Sequence, residues 1–432
     1  MTASIDWDAA TAEAVSLLRE YLRIDTSNPP GNERPAVEFL RGILAAEGIP
    51  SEVAESAPGR SNLFARLGPS AGGVCLLNHT DVVPVERQFW ARDPFSGDLV
   101  DGMVWGRGAL DMKGMGILEL MVFLLLRRTG VPLAESVSFL AVADEEAGKR
   151  LRRLLGRREP AGMDGHWPGD QRGRLWSRAA RRPPQVFQIA PTEKVPLWVR
   201  LTVHGRPGHG SVPHGDNCAE HLVQALERIT RWQRELRILP VMKEHARALT
   251  GAGVMRSAAD DAILRAANRN PSLRARLSNT VAVTTINTGI KVNVIPAEAT
   301  ATLDCRLLPD VDADVFLAEL SAVIADSRVE LAIENRFVGA ESPLDTRFAS
   351  VVRDVIADMA EGAHIAPEMT SGFTDSRIYR LKGIPAYGFV PCLVPPEELG
   401  GVHGHNERIS VENIRLGLQV LYEVVRRLVA SP

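Results

Sequence analysis

The sequence predicts an α/β domain with a mostly parallel sheet, interrupted by an inserted α+β unit. Three observations carry this expectation. Short apolar runs alternate with helical periodicity at the front of the chain; the pattern switches at Val195 to half-polar strands; and the first pattern resumes after Val338. At 432 residues the chain also exceeds what one hydrophobic core usually supports.

Taken in order, Ala9 to Ile24 and Ala36 to Glu47 carry apolar residues at helical spacing. Val74–Leu77 and Ser136–Ala143 are short, apolar and flanked by turn residues, as strands buried on both faces are. Met112 to Arg128 reads as an apolar helix between them, and strand–helix–strand alternation implies a parallel layer. Then Leu197–His204 alternates like a half-solvated strand, followed by a helix over Ala219–Trp232 and strands at Thr280–Thr285 and Ala299–Leu307. A helix at Ala313–Ile324 and a strand at Val329–Ile333 complete a βαββαβ order, that of a ferredoxin-like sandwich. Residues 236–278 interrupt it as a helical insertion. A helix near Ala349–Ala360, a strand at Ala386–Val390 and a closing helix from Val411 to Leu428, N-capped by Ser410, return to the first pattern. The expected division is residues 1–193 and 339–432 in one domain and 194–338 inserted.

Composition narrows the function classes. The apolar fraction is 45%, the charged fraction 24% and the net charge −3, which gives no global reason to expect nucleic acid or an anionic membrane as partner. No apolar stretch is long enough to span a bilayer, and the N-terminus lacks a basic, then apolar, secretory pattern. Four scattered cysteines without a CxxC pair fit reduced thiols, and a cytoplasmic location is expected.

Ligand-type residues recur where strands end. His79 and Asp81 follow the first buried strand, Asp111 lies in the loop Gly106-Arg107-Gly108-Ala109-Leu110-Asp111, and Glu145-Glu146 follow the next strand. The carboxyl ends of strands are where open α/β sheets bind ligands. Histidine and carboxylates are also the donors zinc takes when it keeps a position open for water. Asp81 is placed to accept the second imidazole N–H of His79, and one glutamate of the pair could ligate while the other takes a proton from water. Val402-His403-Gly404-His405-Asn406-Glu407-Arg408 supplies another imidazole. Each piece alone has a plainer reading: a hydrogen-bonded histidine, a solvated acidic turn, or a glycine loop that lacks the third glycine of a dinucleotide fingerprint. The conjunction favours metal.

The segments LLNHTDVVPV, DGMVWGRGALDMKGM, ADEEAG and VHGHNERISVENI resemble the co-catalytic dinuclear zinc peptidases, among them aminoacylases, acetylornithine deacetylases, succinyl-diaminopimelate desuccinylases and glutamate carboxypeptidases. That resemblance, covering nearly the whole chain, implies a zinc-peptidase-like α/β domain with a ferredoxin-like lid that mediates homodimerisation. It implies two Zn2+ ions, replaceable by Co2+ or Mn2+. His79 and Asp111 would hold one, and Asp111, Glu146 and His403 the other. Glu145 resembles the family's general base and Asp81 its orienting carboxylate. His209, in GRPGHGS, resembles the histidine that reaches the partner's site; Asn293 and Arg306 resemble binders of the substrate carboxylate; Gly372 resembles a glycine lining the pocket. The implied reaction is hydrolysis of an amide bond in an N-acyl amino acid or small peptide with a free carboxylate.

One stretch departs from this pattern. Residues 149–184 hold ten arginines and one lysine against three acids, 11 − 3 = +8, in a chain of net charge −3. The resemblance expects a further acidic ligand to the His79 zinc there, and the stretch shows neither that motif nor a strand-like period; Asp164 and Asp170 are its available substitutes. Three readings compete: a basic arm for a polyanion, an insertion in an inactive metal-binding relative, or a reading frame lost after Gly148 and regained before Val186. With 44 arginines to six lysines the composition suits GC-rich coding, and the frame reading is favoured. On any of them the His79 zinc is expected to be short of one ligand, and activity impaired.

Overall fold

A computed structural model of the chain describes residues 4–69, 72–146, 161–164 (as backbone), 185–360 and 362–431. Its larger sheet has eight strands, in spatial order 51–57, 60–67, 137–142, 74–79, 161–164, 386–390, 186–193 and 364–370. The centre is parallel: Val74–His79 pairs in parallel with Val137–Val142 on one side and Ala161–Asp164 on the other. Antiparallel pairs flank it, because Ser51–Ala57 and Arg60–Leu67 form a hairpin that closes one side.

The helix Lys113–Thr129 explains why this sheet is buried. Its residues are apolar around almost the whole circumference, and 15 of its 17 residues are buried. It packs on the strand Val74–His79 and beneath the helices Trp7–Leu22 and Val411–Val429. Close approach comes from two glycines: a Cβ on Gly116 would stand 3.0 Å from Asn78 Oδ1, and one on Gly114 would stand 2.1 Å from the Ala109 carbonyl. The approach lets Asn78 Nδ2 donate to the buried Glu119 at 2.8 Å, fixing the residue before His79. Ser410 caps the closing helix by accepting from the Asn413 N–H, and no described helix is long and apolar enough to cross a membrane.

A second sheet holds the strands Val195–His204, Thr280–Thr288, Glu298–Leu307 and Val329–Arg336, all antiparallel. Helices Cys218–Arg231 and Ala313–Ile324 cover one face with a separate apolar core. The insertion contains the helices Pro240–Gly251, Asp260–Ala267 and Pro271–Arg276. It is anchored to the larger sheet rather than to the lid alone: Arg276 pairs with Glu368, and His245 Nδ1 donates to the Pro367 carbonyl at 2.9 Å. Burial, together with Arg276, pushes His245 down to about 3, so that ring is neutral.

Two features differ from the sequence reading. The hairpin 51–67 and the strands 186–193 and 364–370 carry mixed polar sequences and gave no clear period, yet pair within the sheet. The stretch 149–184, expected to lack a strand, contributes Ala161–Asp164 between two strands whose backbone groups would otherwise be unpaired. Asp164 thus ends a strand, contrary to expectation. The rest of that stretch, Asp170 and all ten of its arginines included, lies outside the described residues.

Phe139 is fully buried mid-sheet and meets Phe123 with ring centres 6.2 Å apart. Phe139→Ala is expected to lower unfolding free energy by about 3–5 kcal/mol, and Ser410→Ala by about 1 kcal/mol, in urea titrations.

Candidate metal centre

The strand Val74–His79 is buried throughout and delivers His79 at its carboxyl end, directly beside Val142. The neighbouring strand ends at that same level, so the turn Asp144-Glu145-Glu146 emerges next to the imidazole. Asp144 holds φ at +73°, a left-handed conformation that turns the chain sharply there. Asp111 arrives from the loop entering the central helix, and His403 from a loop near the C-terminus with φ +53°.

These segments meet at Asp111. Its Oδ1 lies 3.2 Å from His79 Nε2 and its Oδ2 lies 3.2 Å from His403 Nε2, so one carboxylate joins two imidazoles. Glu146 Oε2 lies 3.3 Å from the same His403 nitrogen. Donor atoms of Asp111, Glu146 and His403 lie within 4.8 Å of one another, as do those of His79, Glu145 and Glu146. The first group is the set expected for one zinc. In the second, Glu145 and Glu146 stand beside His79, which is therefore better supplied with carboxylate than the sequence suggested.

The electrostatics call for positive charge. Burial opposes charge on His79, yet hydrogen bonds with Asp111 and Asp81 hold its pKa well above the ordinary imidazole value. Hydrogen bonds with Asp111 and Glu146 push His403 up to about 11. Glu146 Oε1 is buried and has no donor among the described residues. Carboxylates that grip imidazole protons this firmly, with an oxygen left over, fit a divalent cation replacing those protons. Glu145 is buried, which raises its pKa; His79 opposes the rise, while Glu146, Asp375 and Asp111 add to it. Burial that favours the protonated form makes this carboxylate a stronger proton acceptor than an exposed one.

Asp81 sits differently from the expectation. His79 Nδ1 donates to the Asp81 main-chain carbonyl at 2.9 Å, while the nearer carboxylate oxygen stands 3.6 Å away. That carboxylate instead accepts the backbone N–H of Glu145 at 3.2 Å, that of Glu146 at 3.1 Å, and the Asn28 amide at 2.8 Å. It therefore holds the acidic turn as well as lying against the imidazole. Asn28 also donates to Asp144 at 3.2 Å, and Arg60 bonds Asp144 at 2.7 Å and Glu33 at 2.6 Å.

A clasp not foreseen from the sequence fixes the other half. Glu407, fully buried, accepts from Arg107 at 2.7 Å and from the N–H groups of Gly108, Leu110 and Asp111 at 2.9, 2.7 and 2.9 Å. Arg107 also reaches the Gly404 carbonyl at 2.5 Å. Pairing of Arg408–Ser410 with Met103–Trp105 extends the join. The signal available was Glu407 and Arg107 lying in the two ligand segments; nothing in a single sequence pairs them.

The lid residues fall in two places. His209 and Asn293 share a two-stranded ribbon, where His209 pairs with Val294 and the Gly210 N–H donates to the Asn293 carbonyl at 2.9 Å. Both are exposed, and His209 Nδ1 lies 2.7 Å from Ser211 Oγ. Arg306 bonds Asp304 at 2.8 and 3.1 Å and lies 5.3 Å from the Phe373 ring centre, so it borders the loop of Gly372. The same ring faces Arg377 at 5.5 Å. Glu193, an acid at the end of its strand, is engaged by Thr374 Oγ1 at 2.7 Å and Arg380 at 3.3 Å.

Residues 75–427 match the peptidase family M20/M25/M40. The chain belongs to that family. Human aminoacylase-1 is 28% identical over 97% of this chain and 96% of its own length. The N-fatty-acyl-amino acid synthase/hydrolase PM20D1 of Xenopus tropicalis is 31% identical, covering 81% of this chain and 71% of that protein. An M20 family metallo-carboxypeptidase from Sulfolobus solfataricus shares the fold with a TM-score of 0.73 at 18% identity, over 96% of this chain and 98% of that one. Human carnosine dipeptidase 1 does so with 0.70 at 17%, over 98% and 97%. The protein is a metal-dependent amide hydrolase of the M20 type.

Glu407→Ala removes one partner of a buried pair and leaves Arg107 and three N–H groups unmatched. The expected loss is about 3–5 kcal/mol of stability. Zinc affinity should fall about 10–100-fold in chelator competition, because the Asp111 and His403 loops lose their common anchor.

Proposed function

We propose that this enzyme hydrolyses the amide bond of N-acyl amino acids bearing a free carboxylate, small peptides being the related substrate class. The observation that carries the reading is the Asp111 carboxylate, with His79 on one oxygen and His403 on the other, beside the pair Glu145 and Glu146. Aminoacylase-1 and PM20D1, both named for acylated amino acids, support the acyl side of it.

In this reading His79, Asp111, Glu146 and His403 would hold zinc, which would supply Lewis acidity to the scissile carbonyl. Glu145 removes a proton from the attacking water and returns it to the departing amine. Asp81 keeps Glu145 in place through the backbone N–H it accepts. Arg306 takes the substrate carboxylate, joined by Asn293 from the ribbon of the partner subunit, and Gly372 leaves room beside Phe373. His209, exposed on its ribbon, serves the oxyanion of a partner subunit in a homodimer joined through the lid.

A second reading, a metal-binding protein without turnover, draws support from the composition of 149–184. Zinc content and hydrolysis of a panel of N-acyl amino acids and dipeptides, measured on the same preparation, separate the two. About two zincs with turnover supports the enzyme; bound zinc with no turnover across the panel overturns it.

Glu145→Gln should lower kcat about 10²–10⁴-fold while zinc content stays unchanged. Arg306→Ala should act mainly on KM, raising it about 10–150-fold, the value of a charged hydrogen bond. A loss confined to kcat would remove Arg306 from carboxylate binding.

A further inference from the structure

We propose that the junction between the lid and its helical insertion is a binding site for a small oxyanion, a carboxylate or a phosphate, with Arg234 and Arg274 as its cationic poles. The junction forms a half-open pocket of about 310 Å³. Nine residues line it, and none is acidic. Arg234 comes from the linker leaving the helix Cys218–Arg231, and Arg274 from the helix Pro271–Arg276.

The guanidinium groups are not accounted for by the protein itself. Arg234 lies 5.7 Å from the Trp232 ring centre, and its NH1 is buried with no hydrogen-bond partner among the described residues. Arg274 NH1 uses one donor on Asn268 at 3.0 Å. By contrast Arg237, Arg265 and Arg276, in the same part of the chain, pair with Asp310, Asp261 and Glu368. Burial lowers the pKa of Arg234, and the nearby Arg274 lowers it further, as repulsion between like charges requires.

A buried donor without an acceptor and two facing cations both cost stability, and one anion between them relieves both. Guanidinium is the side chain whose planar fork matches a carboxylate or phosphate edge. A further donor is in place: Thr280 Oγ1, on the cavity wall, accepts from Lys194 at 3.3 Å, which leaves its own proton to donate. None of its lining residues is a candidate zinc ligand, and the site is tied to the larger sheet. Lys194, at the start of the lid, donates to the Ala275 carbonyl at 2.8 Å, and Arg276 pairs with Glu368 in the larger sheet. An anion bound here therefore stiffens the joint between lid and catalytic sheet.

The test is thermal unfolding of the full chain during titration with inorganic phosphate, ionic strength held constant with chloride, against Arg234→Gln and Arg274→Gln. Wild type should gain a saturable rise of several degrees, and both variants should lose it. Any phosphate binding at the zinc ligands persists in the variants and is subtracted by them. Without phosphate, Arg234→Gln should melt at or above wild type, because it removes an unmatched, repelled charge. A parallel titration with acetate tells carboxylate from phosphate. The proposal is overturned if wild type shows no saturable shift, if both variants shift as wild type does, or if Arg234→Gln is less stable by the same amount at every phosphate concentration, as a purely structural stacking role would make it. Should one variant fail to fold, the other decides.

Discussion

The Glu407 carboxylate is the constraint on which the candidate centre rests. Burying an acid completely is costly, and burial does push this carboxyl group's pKa up, against Arg107 and three backbone N–H groups. Four donors from a single loop repay that cost, and three of them, on Gly108, Leu110 and Asp111, cannot all point at one carboxylate unless the loop curls around it. With its N–H held on Glu407, Asp111 keeps its own carboxylate between His79 and His403. Because Arg107 also reaches the carbonyls of Gly401 and Gly404, the loop bearing His403 is set against it by the same charge. Segments about 300 residues apart are thus placed by one ion pair, and the geometry at Asp111 follows from it.

The opposite side uses the same device with different parts. Asp81 has its pKa lowered despite burial, through His79, Asn28 and the Glu146 N–H. It takes the backbone of both glutamates, while Asn28 bridges Asp81 to Asp144 and Arg60 ties Asp144 to Glu33. That chain of contacts fastens a turn whose Asp144 stands at positive φ, a conformation held by its surroundings rather than by preference. The carboxylate pair is rigid because both of its backbone N–H groups are already committed. In the proposed reaction this is what a base needs, since proton transfer depends on a fixed distance.

What the sequence showed, and what it hid, divide along the range of the interactions. His79, Glu145 and Glu146 were legible because each ends a buried apolar run, and such runs declare both their strand and its carboxyl end. The lid was legible from alternation along Leu197–His204 and its successors. Arg60, Asn28, Arg107 and Glu407 were not, because each matters only through a partner 27 to 300 residues away, and a lone Arg, Asn or Glu carries no period. The strands 51–57 and 60–67 were missed for a related reason: an edge hairpin half open to solvent takes polar residues, so its pattern fades. His79 bonding the Asp81 carbonyl rather than its carboxylate could not be read either, since both acceptors belong to one residue.

The strand Ala161–Asp164 bears on the stretch whose composition stands apart. Four residues from that stretch pair in parallel with Val74–Leu77 and with Ala386–Gly388, so the sheet is continuous across the centre. Sheet pairing runs through backbone groups and tolerates almost any side chain, whereas metal ligation depends on one particular side chain. A stretch can therefore keep its place in the fold after losing the chemistry expected of it. The two halves of the centre do not depend on it equally. Asp111, Glu146 and His403 form their group without it. Among the described residues, the His79 half finds further carboxylates in Glu145 and Glu146, and the first of these is the proposed base. A carboxylate bound to a cation has its lone pairs engaged and its basicity reduced, so filling the His79 site with Glu145 weakens the step that Glu145 is placed to perform. In the proposed reaction, metal occupancy of that half and proton transfer would therefore compete for the same Glu145 side chain.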